Sequence, residues 1–518
     1  MMRTSQIFKA SHHAVPSPDG TLIACISNQS LIIRSTNNSE VHRAITLAPQ
    51  FATRINLSKW SPLPDSKTDS PKSYNHRIFL ADTATVRLWD TDDENWTAVI
   101  NNAGGSLGKI ANVEFGRDSN EILVFTEFGI KLTVWFLDTG RNVEITDPKF
   151  ATKGFDHRPS TGHFALLTRP AAHDVVTLHE PGNYSLLKSF LVSTIDAQGL
   201  KWSPCGRWIA IWDTPSSGYK VMIYTSEGHL FRTYAGPSGD DSINLGVKSV
   251  DWTPCGKYLA IGGYDSKVTM LKSTTFSPAK SLLHVSTLNL PSLTVWQELV
   301  SSDERVYSLA PQPMSPPMLD SSSDGPHLRN GVSILAFNSA ESGLVATRVD
   351  SMPTTAWIWS LEHSWLLTVL VHHSPIKSLS WHPTLPGLLM IRCAHDDGVV
   401  YLWEKNEGRP QIFSLPLEKL TGKYGAQWVN AVSPKEPVVM LNDAQSYVIG
   451  YLGEAAEDEG ESEADSLSTS ALQDDNFRAQ EGSLFDVVTQ PGDNIARAEM
   501  QALRSSDKEW DMIKDVPN

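Results

Sequence analysis

Three histidine clusters and two repeated cysteines have the types and spacing to suggest chemistry. Histidines are adjacent at His12-His13 and His372-His373, and His395 is followed by Asp396 and Asp397. Imidazoles and carboxylates bind metal when further donors stand at ligand spacing, and act as acid–base groups when paired. Neither histidine pair has a nearby carboxylate or cysteine set at that spacing. His395-Asp396-Asp397 reads as a tight turn before the apolar run VVYLW. Cys205 and Cys255 each sit between a proline and a glycine in matching segments, so repetition accounts for them better than nucleophilic chemistry does. The four cysteines are far apart and form no CxxC pair, which fits a reducing cytoplasmic or nuclear setting. Nucleotide-binding glycine loops and HExxH are missing. The chain therefore reads as a non-enzyme with no catalytic residue, metal or cofactor.

The repeat that positions these residues carries more information. Trp202-Ser-Pro-Cys-Gly206 precedes RWIAIWD and VMIY, and Trp252-Thr-Pro-Cys-Gly256 precedes KYLAIGGYDSKVTML. Each reads as strand, turn, strand, turn, strand. Counting from a first unit near Val15, landmarks follow at Trp60, Phe115, Phe155, Trp202, Trp252, Phe337, Trp381 and Trp428. Aromatics close later strands at Trp89, Trp135, Trp359 and Trp403. Asp265 and Asp396 stand in tight turns, where a carboxylate accepts from nearby backbone N–H groups. The period is that of four-stranded blades, so the fold is all-β, a WD40-type β-propeller. Seven to nine blades are expected, in one ring or two partial propellers. Ser5 to Lys9 is placed to supply a closing strand to the last blade.

The repeats span 1–451, with a polar loop at 63–76 and a Ser/Pro-rich insertion at 273–330 holding 12 Ser and 7 Pro. Within that insertion SLTVWQELV and RVYSLA have strand character, while 311–326 reads as disordered. Ser277-Pro278 and Ser315-Pro316 are candidate sites for proline-directed phosphorylation. The formal net charge of −15 is concentrated at one end. Residues 452–518 hold 17 acidic and 5 basic groups, whereas the other 451 are nearly neutral, with 41 and 38. The tail is expected to be mostly disordered, with 494–513 as a short amphipathic stretch around Trp510. No basic stripe suggests nucleic acid, and no run of eighteen apolar residues suggests a membrane span.

The order of the units resembles one family in particular. The segments are SQIFKASHHAVPSPDGTLIACISNQSLIIRS, EFGIKLTVWFLDTG, LKWSPCGRWIAIWDT, LFRTYAG, LGVKSVDWTPCGKYLAIGGYDSKVTML and AWIWSLE. Together they are similar to the WD-repeat centrosomal and spindle pole body proteins, a family with a member encoded antisense to a p53-family gene. The resemblance covers roughly 5–450 and is weakest in 63–76 and 273–330. It implies a non-enzymatic scaffold at the spindle pole body or another microtubule organising centre. It implies a coiled-coil anchoring protein as partner and, in yeast-like lineages, a kinesin-14 motor. It also implies a role in anchoring microtubule minus ends and organising the mitotic spindle. A near-neutral body and an acidic tail make indirect attachment to acidic tubulin the expectation. Other large-propeller roles stay open: a translation-initiation scaffold, or an adaptor in a ubiquitin-ligase or trafficking complex.

Overall fold

The computed structural model describes residues 3–11, 14–64, 76–102, 108–236, 245–301, 304–319, 331–339, 343–395, 398–415, 424–429, 437–443 and 445–452. His12-His13, Asp396-Asp397, nearly all of the 63–76 loop and the tail beyond Leu452 lie outside them. The chain divides into two compact units, Met1–Ala456 and Glu457–Asn518, and the first carries the fold.

Among the described residues nine sheets follow one another along the chain, antiparallel except for one strand pair. Blade 1 is built from Val15–Pro16, Leu22–Ser27, Ser30–Ser35 and Val41–Thr46. The first strands of blades 2 to 5 are Leu57–Trp60, Ile110–Phe115, Phe155–His157 and Gly199–Trp202. Those of blades 6 to 9 are Val247–Trp252, Val332–Phe337, Ile376–Trp381 and Gly425–Val429. Several first strands touch their counterparts in neighbouring blades and so form the inner edge of the ring. Fourth strands, such as Leu186–Leu191, lie at the periphery and are largely exposed.

Second strands such as RIFLA and FALLT are buried throughout, because the blade's two faces each meet another blade. This is why they read as unbroken apolar runs instead of alternating ones. The described residues contain nine buried apolar clusters. Eight of them join consecutive blades, and the ninth joins blade 9 to blade 1. The ring is single and closed, with nine blades. Each large side chain buried in such a seam contributes roughly 1.5–3 kcal/mol.

Closure uses the N-terminal segment. Arg3–Thr4 and Phe8–Lys9 pair antiparallel with Ser446–Tyr451, the third strand of blade 9, and complete that blade from outside. The WSPxG signature has a local cause. In blade 5 the Ser203 hydroxyl accepts the N–H of Trp208 at 3.0 Å, and Gly206 turns the chain at φ +67°. Thr253 and Gly256 do the same in blade 6.

The Ser/Pro-rich stretch 273–330 divides. Pro278–Leu283 is the fourth strand of blade 6. Thr294–Val300 and Arg305–Leu309 form a hairpin. The first hairpin strand runs parallel to Trp365–Val371, the fourth strand of blade 7, so that sheet has six strands. The Ser315 hydroxyl meets that of Thr287 at 3.2 Å, and residues 320–330 lie outside the description.

Candidate functional site

The landmark aromatics occupy seams. Trp60, Phe115, Trp202, Trp252, Phe337 and Trp381 end their first strands, and Trp428 stands one residue short of the end. Each packs toward the preceding blade. Trp89, Trp135, Trp359 and Trp403 lie on third strands and fill the same seam as their own blade's landmark. Phe155 also faces the preceding blade, stacked on Phe125 at 4.9 Å, but it is not the register equivalent. That position belongs to His157, paired with Phe164 seven residues on, as Trp202 is with Ile209. Burial lowers the His157 pKa to about 4, so the ring is neutral and meets the Tyr184 hydroxyl at 3.2 Å. Asp265 accepts the Tyr219 hydroxyl of blade 5 at 2.6 Å. Backbone capping of the matching turn occurs at Asp82 and Asp443, which the sequence marks by an Asp two or three residues before a β-rich run.

Several landmark indoles staple one blade to the last. Trp60 Nε1 donates to Val15 O at 2.8 Å, Trp381 Nε1 to Ala336 O at 2.9 Å, and Trp428 Nε1 to Ser380 O at 2.9 Å. In each case the acceptor precedes the register-equivalent residue of the neighbouring blade. Trp202 Nε1 and Trp252 Nε1 are buried and have no acceptor. Replacing Trp381 by Phe is therefore expected to cost about 1 kcal/mol more than replacing Trp202 by Phe. Equal losses in chemical denaturation would contradict the staple.

His372, His373 and His395 join a structural network. Glu298 of the hairpin accepts from Arg305 at 2.9 Å, from the Tyr401 hydroxyl at 2.7 Å and from the His373 backbone N–H at 2.8 Å. Tyr307 meets His372 Nδ1 at 3.1 Å, and His395 meets Tyr401 at 3.0 Å. Burial lowers the His372 pKa to about 4. Burial also opposes ionisation of Glu298, but its hydrogen bonds outweigh that and hold its pKa below the usual carboxylate value. Among the described residues, no three or more His, Cys, Asp or Glu side chains converge to hold a metal.

A groove of about 530 Å³ lies between the outer parts of blades 3 and 4. It is lined by Ile145, Pro170, Val175 and Leu186 together with polar side chains such as Glu144 and Thr177. The adjoining turn of blade 3 carries Phe128, which is 91% exposed at φ +62°. Ile130, from the same turn, bonds to Asp147 on the groove wall and is itself exposed. An L-residue in the left-handed region and an aromatic ring in water are both unfavourable, and a partner that buries the ring offsets the second. Sequence reasoning passed over Phe128 because its neighbours read as an ordinary hairpin.

Comparison with known proteins agrees with this architecture. The WD40 model (WD domain, G-beta repeat) matches residues 230–270. That span starts on the fourth strand of blade 5 and ends in the third strand of blade 6, so the sequence repeat is offset from the blade by one strand. WD repeat-containing protein WRAP73 of Mus musculus is 31% identical over 409 residues, covering 75% of this chain and 83% of its own. A WD repeat-containing protein of Schizosaccharomyces pombe, C32H8.09, is 26% identical, covering 86% and 90%. A eukaryotic initiation factor structure overlays with TM-score 0.49 at 13% identity, covering 79% of this chain and 90% of that one, which is too loose to carry a functional reading. With its nine blades, its buried landmark aromatics and this degree of likeness, the chain belongs to the WRAP73 family of WD-repeat proteins and is a protein-binding scaffold.

Proposed function

We propose that the chain is an adaptor at the spindle pole body or centrosome. In this reading the ring holds a coiled-coil anchoring protein and, in yeast-like lineages, a kinesin-14, and so keeps microtubule minus ends at the pole. Family membership supports the setting. On the protein itself the supporting observation is Phe128, held out beside a groove in which Val143, Ile145, Val175 and Leu186 lie among polar side chains. A coiled-coil helix carries a line of apolar side chains, and a groove between two blades is a shape that accepts one. Microtubule contact is then indirect, through the partner.

The test is affinity purification of the tagged chain from mitotic cells, with mass spectrometry and imaging. A coiled-coil partner and focal signal at the poles are expected. Diffuse signal through mitosis, with normal spindle anchoring after deletion, would sink the reading. Phe128→Asn localises the contact. Asn tolerates the left-handed conformation, so stability should hold or rise by a few tenths of a kcal/mol. Recovery of the partner should fall sharply, and unchanged recovery would exclude this groove.

A further inference from the structure

The inner strands of blades 4 to 6 border a second cavity, whose reading does not depend on the spindle-pole one. The residues just before the register landmark in blades 2 to 6 are Lys59, Glu114, Asp156, Lys201 and Asp251. Lys59 pairs with Glu114, and Lys201 pairs with Asp251 at 2.8 Å. Asp156 falls between the two pairs and has no ion-pair partner among the described residues. One of its oxygens accepts the Trp202 backbone N–H at 2.8 Å. Desolvation raises its pKa to about 6, against backbone hydrogen bonds from Trp202 and His157 and the nearby charge of Lys201.

Asp156 lines a cavity of about 660 Å³ that reaches across the first strands of blades 4, 5 and 6. Trp202, Trp212 and Trp252 line it as well. The Trp212 ring lies over Gly199, where any Cβ would collide with it, so the bare glycine sets the ring's position. The other charges at the cavity are Lys153, Lys201 and Asp251. Lys201 and Asp251 are committed to each other, and the Lys153 ammonium lies 4.3 Å from the centre of the Phe150 ring. Of the two carboxylates at the cavity, Asp156 is the one without an ion-pair partner among the described residues.

We propose that this cavity receives an arginine side chain presented by a partner protein, with Asp156 as its counter-charge and the Trp212 indole as its stacking surface. A guanidinium is planar, always charged and weakly hydrated. It can stack on an indole while bonding a carboxylate edge-on. A lysine ammonium would use the charge but not the ring. The volume admits a side chain with water around it.

Fluorescence anisotropy of the purified protein with a labelled Gly-Ala-Arg-Ala-Gly peptide tests this directly. Saturable binding is expected, with the citrulline version, neutral and nearly the same shape, weaker by about tenfold or more. Asp156→Asn should lower arginine affinity by a similar factor while melting no lower than the parent. Gly199→Ala, which displaces Trp212, should weaken arginine binding as well. Affinity should also fall as pH drops below about 6, where Asp156 takes up a proton. No saturable binding, equal binding of arginine and citrulline, or an Asp156→Asn protein that binds as the parent does would each overturn the proposal. The citrulline comparison needs no variant, so it stands even if a substitution unfolds the ring. None of these results bears on the groove between blades 3 and 4.

Discussion

Glu298→Ala should destabilise the outer half of blade 7 by about 3–5 kcal/mol, the usual effect of removing one member of a buried charged pair. Its side chain is fully buried, while that of Arg305 is mostly so. Without the carboxylate, the Tyr401 hydroxyl and the His373 N–H lose this acceptor and Arg305 loses one ion-pair partner. The damage should be local. Hydrogen exchange should quicken across Thr294–Val300 and Arg305–Leu309, while the second strands of other blades keep their protection. The carboxyl pKa is lowered in the fold, so its contribution is present above the unfolded value and lost as pH falls through the folded one. In the variant this acid-side loss should be smaller than in the parent. An unchanged melting curve and unchanged exchange would show that the hairpin is held by something else.

Phe8→Ala should weaken the whole ring, with a loss of about 3–5 kcal/mol. Phe8 is 5% exposed and stacks on Tyr447 with centroids 5.0 Å apart. The Arg34 guanidinium lies over the same ring at 4.7 Å. Phe8 thus sits in the seam where blade 9 meets blade 1, beside Ile23, Cys25 and Met440. Asn442 reaches across that seam to Ala14 O at 2.7 Å, and the Tyr451 hydroxyl reaches Thr36 O at 2.7 Å. A defect here removes the joint that turns a row of blades into a ring. Phe8→Leu should recover part of the loss by refilling volume. Equal stability of all three proteins in denaturant would mean that closure does not limit the fold.

Much of the ring was legible in the sequence because its signals are local. Trp202-Ser-Pro-Cys-Gly206 states its own turn chemistry, and FALLT or EILVFT states burial on both faces. Blade 4 was misread by two residues because His157 replaces the expected aromatic, although the seven-residue spacing to Phe164 marks it. Three features depended on distant residues and left no local signal. The hairpin joins a strand some 70 residues later, in parallel. The isolation of Asp156 depends on which charges the two neighbouring blades supply. The groove beside Phe128 exists only once blades 3 and 4 stand side by side. Blade count needed the ninth seam, from Val438 to Ile23, since nine units alone do not distinguish one ring from two.

The closing pairs have a temporal side. Ser5 and Ile449 are bonded partners separated by 444 positions. At ribosomal speeds of about 5–20 residues per second, roughly 20–90 s pass between emergence of the first strand and of its partner. During that interval blades can pack one after another as they appear, each on the last. Phe8 has no seam to enter until the ninth is made, and the newborn chain carries an unpaired strand with an open hydrogen-bonding edge. Guarding that strand during synthesis is a task for chaperones, and any substitution that slows translation late in the message lengthens the watch.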